Sequence, residues 1–299
     1  MARRSPQTER LVEIIEFLAA IPQREYRLAE LARLVDLDDA TCYPMLTELT
    51  RVGWLVKDRV RKTYRLGPRL IALGAAAQMS LHVATCARPE LERLAGETSL
   101  TACLILPSAN DLVIAEVAHP EGLPSASFPL HAGDHIEFRP PLGSVLVAWA
   151  TQHVIDTWLS RVATFSTDRD RGREILRVIR ERGFAIESSP SSPAAMSGLT
   201  SGVLGDVYGS RRAELLTDRQ RPALTPNLLL GEVDPSASYS PMAISAACFD
   251  SSGAPVAAVS ALILAQSMAG SDVLVLGARV KDTAARVTDR LGGIRPGSD

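Results

Sequence analysis

Three short amphipathic stretches followed by a basic hairpin, all within the first 70 residues, constrain this chain more than any other feature. Leu11, Ile14, Ile15 and Leu18 recur at helical spacing over residues 8–20, with Thr8 as N-cap and Pro22 closing the segment. Leu28, Leu31, Leu34 and Val35 repeat the pattern over 28–35. Asp36-Leu37-Asp38-Asp39 reads as a tight turn whose carboxylates cap a third helix over about 40–51, which buries Cys42, Met45, Leu46 and Leu49 and stops at Gly53. Residues 54–58 and 62–66 then read as two strands around Arg59-Val60-Arg61-Lys62. That order predicts a winged helix-turn-helix.

Charge is placed to suit it. The 299 residues carry a net −2, but residues 1–69 hold 13 Lys/Arg against 10 Asp/Glu, net +3, and the remainder is net −5. The basic part is the one suited to nucleic acid. Cys42, Cys86, Cys103 and Cys248 are far apart, in apolar stretches and without CxxC spacing, so reduced structural thiols are expected. Cys103 and Cys248 read as core residues or as a pair meeting across a sheet. The polar N-terminus leads into no apolar run, and no segment has 18 uninterrupted apolar residues, so a soluble cytoplasmic protein with no membrane partner is expected.

Residues 67–84 read as one helix, too apolar around its circumference to stand alone. Pro89 is read as starting the next, with Leu91, Leu94 and Ala95 on one face. From Thr101 the texture becomes strand-like: 101–106, 112–117, 125–131 and 135–138. Helices are expected at 142–160, broken near Thr151, and at 168–182. A short strand follows at 184–187. Residues 242–249 and 255–262 form a hairpin, and 270–291 a last helix. Residues 188–240, rich in Ser, Pro and Gly with a helical stretch at 206–221, read as an insertion.

Several segments together resemble the IclR family. They include Thr8–Ala19, Leu28–Leu37, Thr41–Leu55 and Lys62-Thr63-Tyr64-Arg65-Leu66-Gly67-Pro68. Further on come Arg88–Thr98, Pro141–Leu146, Gly183–Ile186, Ile244–Asp250 and Ala257–Ser260. The resemblance implies an α+β protein: a winged helix-turn-helix (1–67), a linker and dimerisation helix (68–86), and a GAF/profilin-like α/β sensing domain with an antiparallel sheet (87–299, insertion at about 188–240). It implies double-stranded operator DNA and a small-molecule effector as partners, and assembly as a homodimer or tetramer.

For DNA, the helix at 40–51 is the expected reader of the major groove, with Thr41, Tyr43 and Thr47 facing out as donors. Arg51, Lys57, Arg59, Arg61, Lys62 and Arg65 are candidate phosphate clamps. Pro44 departs from the family, where the matching position is commonly basic. It shifts base reading towards Tyr43 and Thr47 and leaves the wing to supply most affinity. For the effector, the resemblance points to Leu142, Gly143 and Ser144 at a helix start, and to Glu187 and Ser260 on the sheet. Its other two sheet positions fall on Ala243 and Leu262, so the pocket suits an apolar or aromatic acid better than a very small oxoacid.

His131-Ala132-Gly133-Asp134-His135 reads as a polar turn, with a metal site as the minority alternative. No G-x-S-x-G, H-E-x-x-H or G-x-x-x-x-G-K-[ST] occurs, so no catalytic residue, metal or cofactor is assigned. The rival to an effector-controlled DNA-binding regulator is a degenerate ligand-sensing or protein-interaction module that reads no DNA; an enzyme ranks below both.

Overall fold

The computed structural model describes residues 5–20, 22–108, 111–122, 130–161, 169–188, 229–263 and 267–296. Most of the expected strand at 125–131 and most of the 188–240 insertion, including its helical stretch, lie outside them. The chain divides into two compact units, the first containing Met1–Ser80 and the second beginning at Leu81.

In the first unit, α1 (Pro6–Ala20) starts two residues before the expected Thr8, because a proline suits the first helical position and the Ser5 carbonyl accepts from the Glu9 N–H at 3.0 Å. Strand β1 (Tyr26–Arg27), α2 (Leu28–Leu34) and α3 (Asp39–Arg51) follow, then β2 (Leu55–Lys57), β3 (Thr63–Leu66) and α4 (Arg69–Ser80). The strands form an antiparallel sheet in the order β1-β3-β2. Ile14, Leu18, Leu31, Cys42, Leu46, Leu49, Leu55, Tyr26 and Tyr64 close one core. Each buried leucine there contributes about 2 kcal/mol.

Asp38 caps α3, its carboxylate accepting the Thr41 N–H at 2.7 Å. Gly53, at φ +81°, ends the helix in the left-handed region. Gly67 then passes so close to that turn that a Cβ would lie 2.3 Å from the Gly53 carbonyl oxygen, and its N–H donates to Trp54 O. The wing is thereby fastened to the end of α3.

The second unit opens with α5 (His82–Thr98). Two expectations are corrected here. The apolar stretch 67–84 is not one helix: α4 ends at Ser80, and Leu81, with ψ 90°, caps α5. Pro89 does not start a helix but is the eighth residue of α5, leaving one turn of the ladder without its N–H. Strands β4 (Thr101–Ser108), β5 (Asp111–Ala118), β6 (His135–Glu137) and β7 (Ala185–Ser188) join β9 (Pro241–Phe249) and β10 (Pro255–Leu262) in a six-stranded antiparallel sheet ordered β6-β5-β4-β10-β9-β7. Strands β8 (Ser238–Tyr239) and β11 (Met268–Ala269) pair separately.

Side chains alternate across the six-stranded sheet, so each face has its own core. On the outer face, α5 and α9 (Gly270–Arg290) pack Leu91, Leu94, Val273, Val280 and Val287 onto Leu104, Ile186, Ile244, Ala246 and Val259. On the inner face lie α6 (Ser144–Val147), α7 (Gln152–Leu159) and α8 (Arg169–Arg182), with Trp158, Leu159, Ile175 and Ile179 against Ile114, Ala185, Ala247 and Ala258. Cys103 belongs to the inner face and Cys248 to the outer, so the two thiols point away from each other and do not meet. Burial pushes both thiols up to about 12. Among the described residues, no single helix is long and apolar enough to cross a membrane.

Candidate nucleic-acid interface and ligand pocket

Helix α3 buries Cys42, Met45, Leu46 and Leu49 and turns Tyr43, Pro44, Thr47 and Arg51 outward. Pro44 is its sixth residue, past the first turn, where proline costs a helix about 3 kcal/mol. Two expected donors are already engaged. The Thr41 hydroxyl donates to Asp38 at 2.8 Å, as part of the cap, and the Thr47 hydroxyl donates to the Tyr43 carbonyl at 2.8 Å. Tyr43 stays half exposed. Arg51 holds Glu48 in a two-pronged pair at 2.8 and 2.5 Å, so part of its charge is already compensated.

The wing is built to hold its cations still. Asp58 accepts the Val60 and Arg61 N–H groups at 2.8 and 2.9 Å, closing the turn, and these bonds lower its pKa. Lys57 on β2 lies over the rings of Tyr64 and Tyr43, 5.1 and 5.7 Å from their centroids, joining wing to helix. Glu25, which the sequence reading missed, faces Arg61 at 3.6 Å and Arg65 at 3.7 Å and accepts from Thr63 at 2.7 Å. Among the described residues, Arg59 and Lys62 have no ion-pair partner. Thus Tyr43, Lys57, Arg59, Arg61, Lys62 and Arg65 share the wing and the adjoining helix surface, whereas the hydroxyls of Thr41 and Thr47 serve the helix itself.

In the second unit, the expected pocket residues share the inner face. Register places Cys103, Ser260, Ser245 and Ala185 in one row across β4, β10, β9 and β7, with Thr101, Leu262, Ala243 and Glu187 in the next. The Ser245 and Ser260 hydroxyls bond each other at 2.7 Å, fully buried. The Thr101 hydroxyl meets His119 Nδ1 at 3.2 Å. Ser245, Thr101 and His119 escaped the sequence reading; Ser245 was recoverable from the β9–β10 hairpin register, which sets it opposite Ser260.

Glu187 is buried, with no hydrogen-bond partner among the described residues, and desolvation raises its pKa to about 8. At neutral pH its carboxyl is therefore mostly protonated and able to donate. Helix α6 packs on β9 and β10 from above. Gly143, at φ +79°, precedes it, and a Cβ there would fall 2.6 Å from the Phe138 ring. The Leu142 carbonyl is taken by Trp158 Nε1 at 3.2 Å. Ser144 is fully buried, and its Oγ has no partner among the described residues. α6 is a single turn, so its dipole adds little attraction for an anion. His131 and Asp134 close a turn, the Asp134 carboxylate accepting the His131 N–H at 2.7 Å. No group of three or more metal-ligating side chains occurs among the described residues.

Residues 7–59 match the family described as the IclR helix-turn-helix domain. The helix-turn-helix of the N-terminal unit is therefore similar to that of IclR regulators. A curated relative, the HTH-type transcriptional regulator TsaQ1/TsaQ2 of Comamonas testosteroni, is 28% identical over 107 residues, 36% of this chain and 38% of its own length. The likeness in fold extends over nearly the whole chain. The solved IclR regulator from Alicyclobacillus acidocaldarius superposes with a TM-score of 0.70 at 20% identity, over 97% of this chain and 100% of that one. An IclR homologue from Microbacterium hydrocarbonoxydans, solved with 4-hydroxybenzoate, gives 0.62 at 17%, over 96% and 99%. At these identities the likeness shows the fold: an IclR-type helix-turn-helix followed by a mixed α/β unit on an antiparallel sheet.

Proposed function

We propose that the protein is a transcriptional regulator that binds operator DNA through α3 and the wing, and whose affinity is set by a small molecule held on the inner sheet face of the second unit. The observation that carries this reading is the wing itself: a turn fixed by Asp58, in a domain similar to the IclR helix-turn-helix, presenting Arg59 and Lys62 without ion-pair partners among the described residues. Tyr43 supplies base contacts and the wing cations supply phosphate contacts.

The second unit supports the sensing half of the reading. Among the described residues Ser144 and Glu187 are buried polar groups lacking hydrogen-bond partners, in a layer that otherwise holds aromatic and aliphatic side chains and the mutually bonded Ser245 and Ser260. A ligand with a polar end and an apolar or aromatic body satisfies both. The 4-hydroxybenzoate held by the Microbacterium homologue is of that class. Helix α4 leaves Ile71 75% and Leu73 44% exposed, and a second copy of the chain is its natural cover. Two copies would read a palindrome, each half-site through one α3. By linkage, effector and operator then change each other's affinity by the same factor.

Selection of bound duplexes from a random DNA pool tests the reading. Enrichment of a palindrome is expected. No enrichment, with ligand binding intact, would instead support a sensing module that reads no DNA. Mass spectrometry of small molecules released from the purified protein identifies the effector class.

A further inference from the structure

The outer helical layer of the second unit contains a charge cluster that the regulatory reading does not use. Glu90, on the buried side of α5, is 5% exposed and gathers three arginines. Its Oε2 accepts from Arg286 Nε at 2.7 Å and from Arg93, one turn along α5; its Oε1 lies 2.9 Å from Arg290 Nη2 in an ion pair. Arg286 Nη2 also donates to the Thr283 hydroxyl at 2.9 Å. Arg93, Arg286 and Arg290 remain 42, 35 and 51% exposed. Among the described residues, no other carboxylate pairs with them; the neighbouring Asp289 faces Arg295 at 3.4 Å.

One carboxylate against three guanidiniums leaves two positive charges held close together. Fastening α5 to α9 does not require them, because Leu91, Leu94, Val280 and Val287 already form an apolar seam between those helices and the sheet. Each guanidinium has five N–H donors; Glu90 takes one from Arg93 and one from Arg286 and pairs with Arg290 by charge. The unused donors are held near one another by a buried pivot, so little side-chain freedom remains to be lost on binding. Planar forks approaching from separate helices suit an anion with several oxygens in different planes, and a surplus of two charges suits a dianion.

We propose that Arg93, Arg286 and Arg290 form an anion site on the α5–α9 surface that takes a phosphate dianion, free or as a phosphate monoester. The site lies on the face of the sheet opposite the Glu187 and Ser260 layer, so it is separate from the proposed effector pocket.

Calorimetric titration of the full chain at constant ionic strength tests it, with inorganic phosphate, phenyl phosphate and malonate as probes. Saturable binding of phosphate at one site is expected. Tighter binding of phenyl phosphate that is lost with Arg93→Ser and Arg290→Ser would assign the site to monoesters, and equal binding to free phosphate. Arg93→Ser with Arg290→Ser should weaken phosphate by about tenfold or more. Arg279→Ser should leave it unchanged, since that arginine lies on the same helix but donates to the Glu97 carbonyl. No saturable binding up to about 20 mM phosphate, or wild-type affinity in the folded double variant, overturns the proposal. If the double variant does not fold, the wild type decides alone. Malonate binding as tightly as phosphate then overturns it, and clear preference for phosphate supports it.

Discussion

The wing and the inner sheet face both carry polar groups without internal partners among the described residues, but they keep them in opposite environments. Arg59 and Lys62 stand in solvent, where an unpaired charge costs nothing until a phosphate arrives. Glu187 and Ser144 are shut away from solvent, where an unpaired group costs free energy continuously. The difference separates two ways of keeping a binding site ready. A wing can be altered with little effect on folding, while a change in the inner face alters folding and binding together.

The comparison is tested hardest at Glu187. Its folded pKa, about 8, lies above the ordinary 4.5, so the folded state holds its proton more tightly. Stability from this group is therefore complete below about pH 4.5 and is lost as pH rises through about 8, on the order of 5 kcal/mol at about 1.4 kcal/mol per unit. The other titratable groups of that face are Cys103, whose own pKa is pushed far higher, and His119, held by Thr101. Glu187→Gln should flatten the decline between about pH 4.5 and 8, followed by urea unfolding on Trp149 and Trp158 fluorescence. A variant whose profile runs parallel to the wild type would remove the contrast between the two regions.

Next in size is the wing. Replacing Arg59, Arg61 and Lys62 together with serine should weaken operator binding about 100-fold at physiological salt and reduce the slope of log K against log salt by about 3. The melting temperature should move little, because only Arg61 among them touches a carboxylate, at 3.6 Å or more. Unchanged mobility shifts would defeat the assignment of affinity to the wing. A large loss of stability would show that the wing resembles the inner face after all.

A smaller effect is expected at the serine pair. Ser260→Ala orphans the buried Ser245 hydroxyl and should cost about 1–2 kcal/mol. Adding Ser245→Ala should recover part of that loss, because both polar groups are then gone. Additive losses in the double variant would mean that the hydroxyls serve other partners.

How much of this was legible beforehand follows the range of the interactions. The first unit could be read nearly to the residue, because α3 is bounded by local signals: the Asp38 cap at one end, Gly53 at the other, and buried positions at helical spacing between. The break at Leu81 had no such signal; neither glycine nor proline stands there, and apolar residues run on through it. Pro89 misled because proline favours a helix start, a preference that packing of α5 on the sheet overrode. The placement of Glu187 and Ser260 on one face follows from strand alternation, but the absence of partners around Glu187 is a three-dimensional fact. Glu25 is the clearest omission. It lies 38 residues before Thr63 in sequence, and only pairing of β1 with β3 brings it to the wing.

The smallest predicted effect discriminates between neighbours on α3. Thr41 and Tyr43 are two residues apart and look equally suited to DNA in the sequence, yet the Thr41 hydroxyl is committed to Asp38 while the Tyr43 ring is half exposed and within reach of Lys57. Thr41→Val keeps the backbone N–H that Asp38 also accepts, so it should cost only about 0.5 kcal/mol of stability and change operator affinity less than about twofold. Tyr43→Ala removes a base contact and the aromatic surface that steadies Lys57, and should weaken the operator about tenfold. Measured side by side in one mobility-shift series, the two variants separate a residue that builds the recognition helix from one that uses it. Equal losses would place the DNA over the start of α3, not along the surface that Tyr43 shares with the wing.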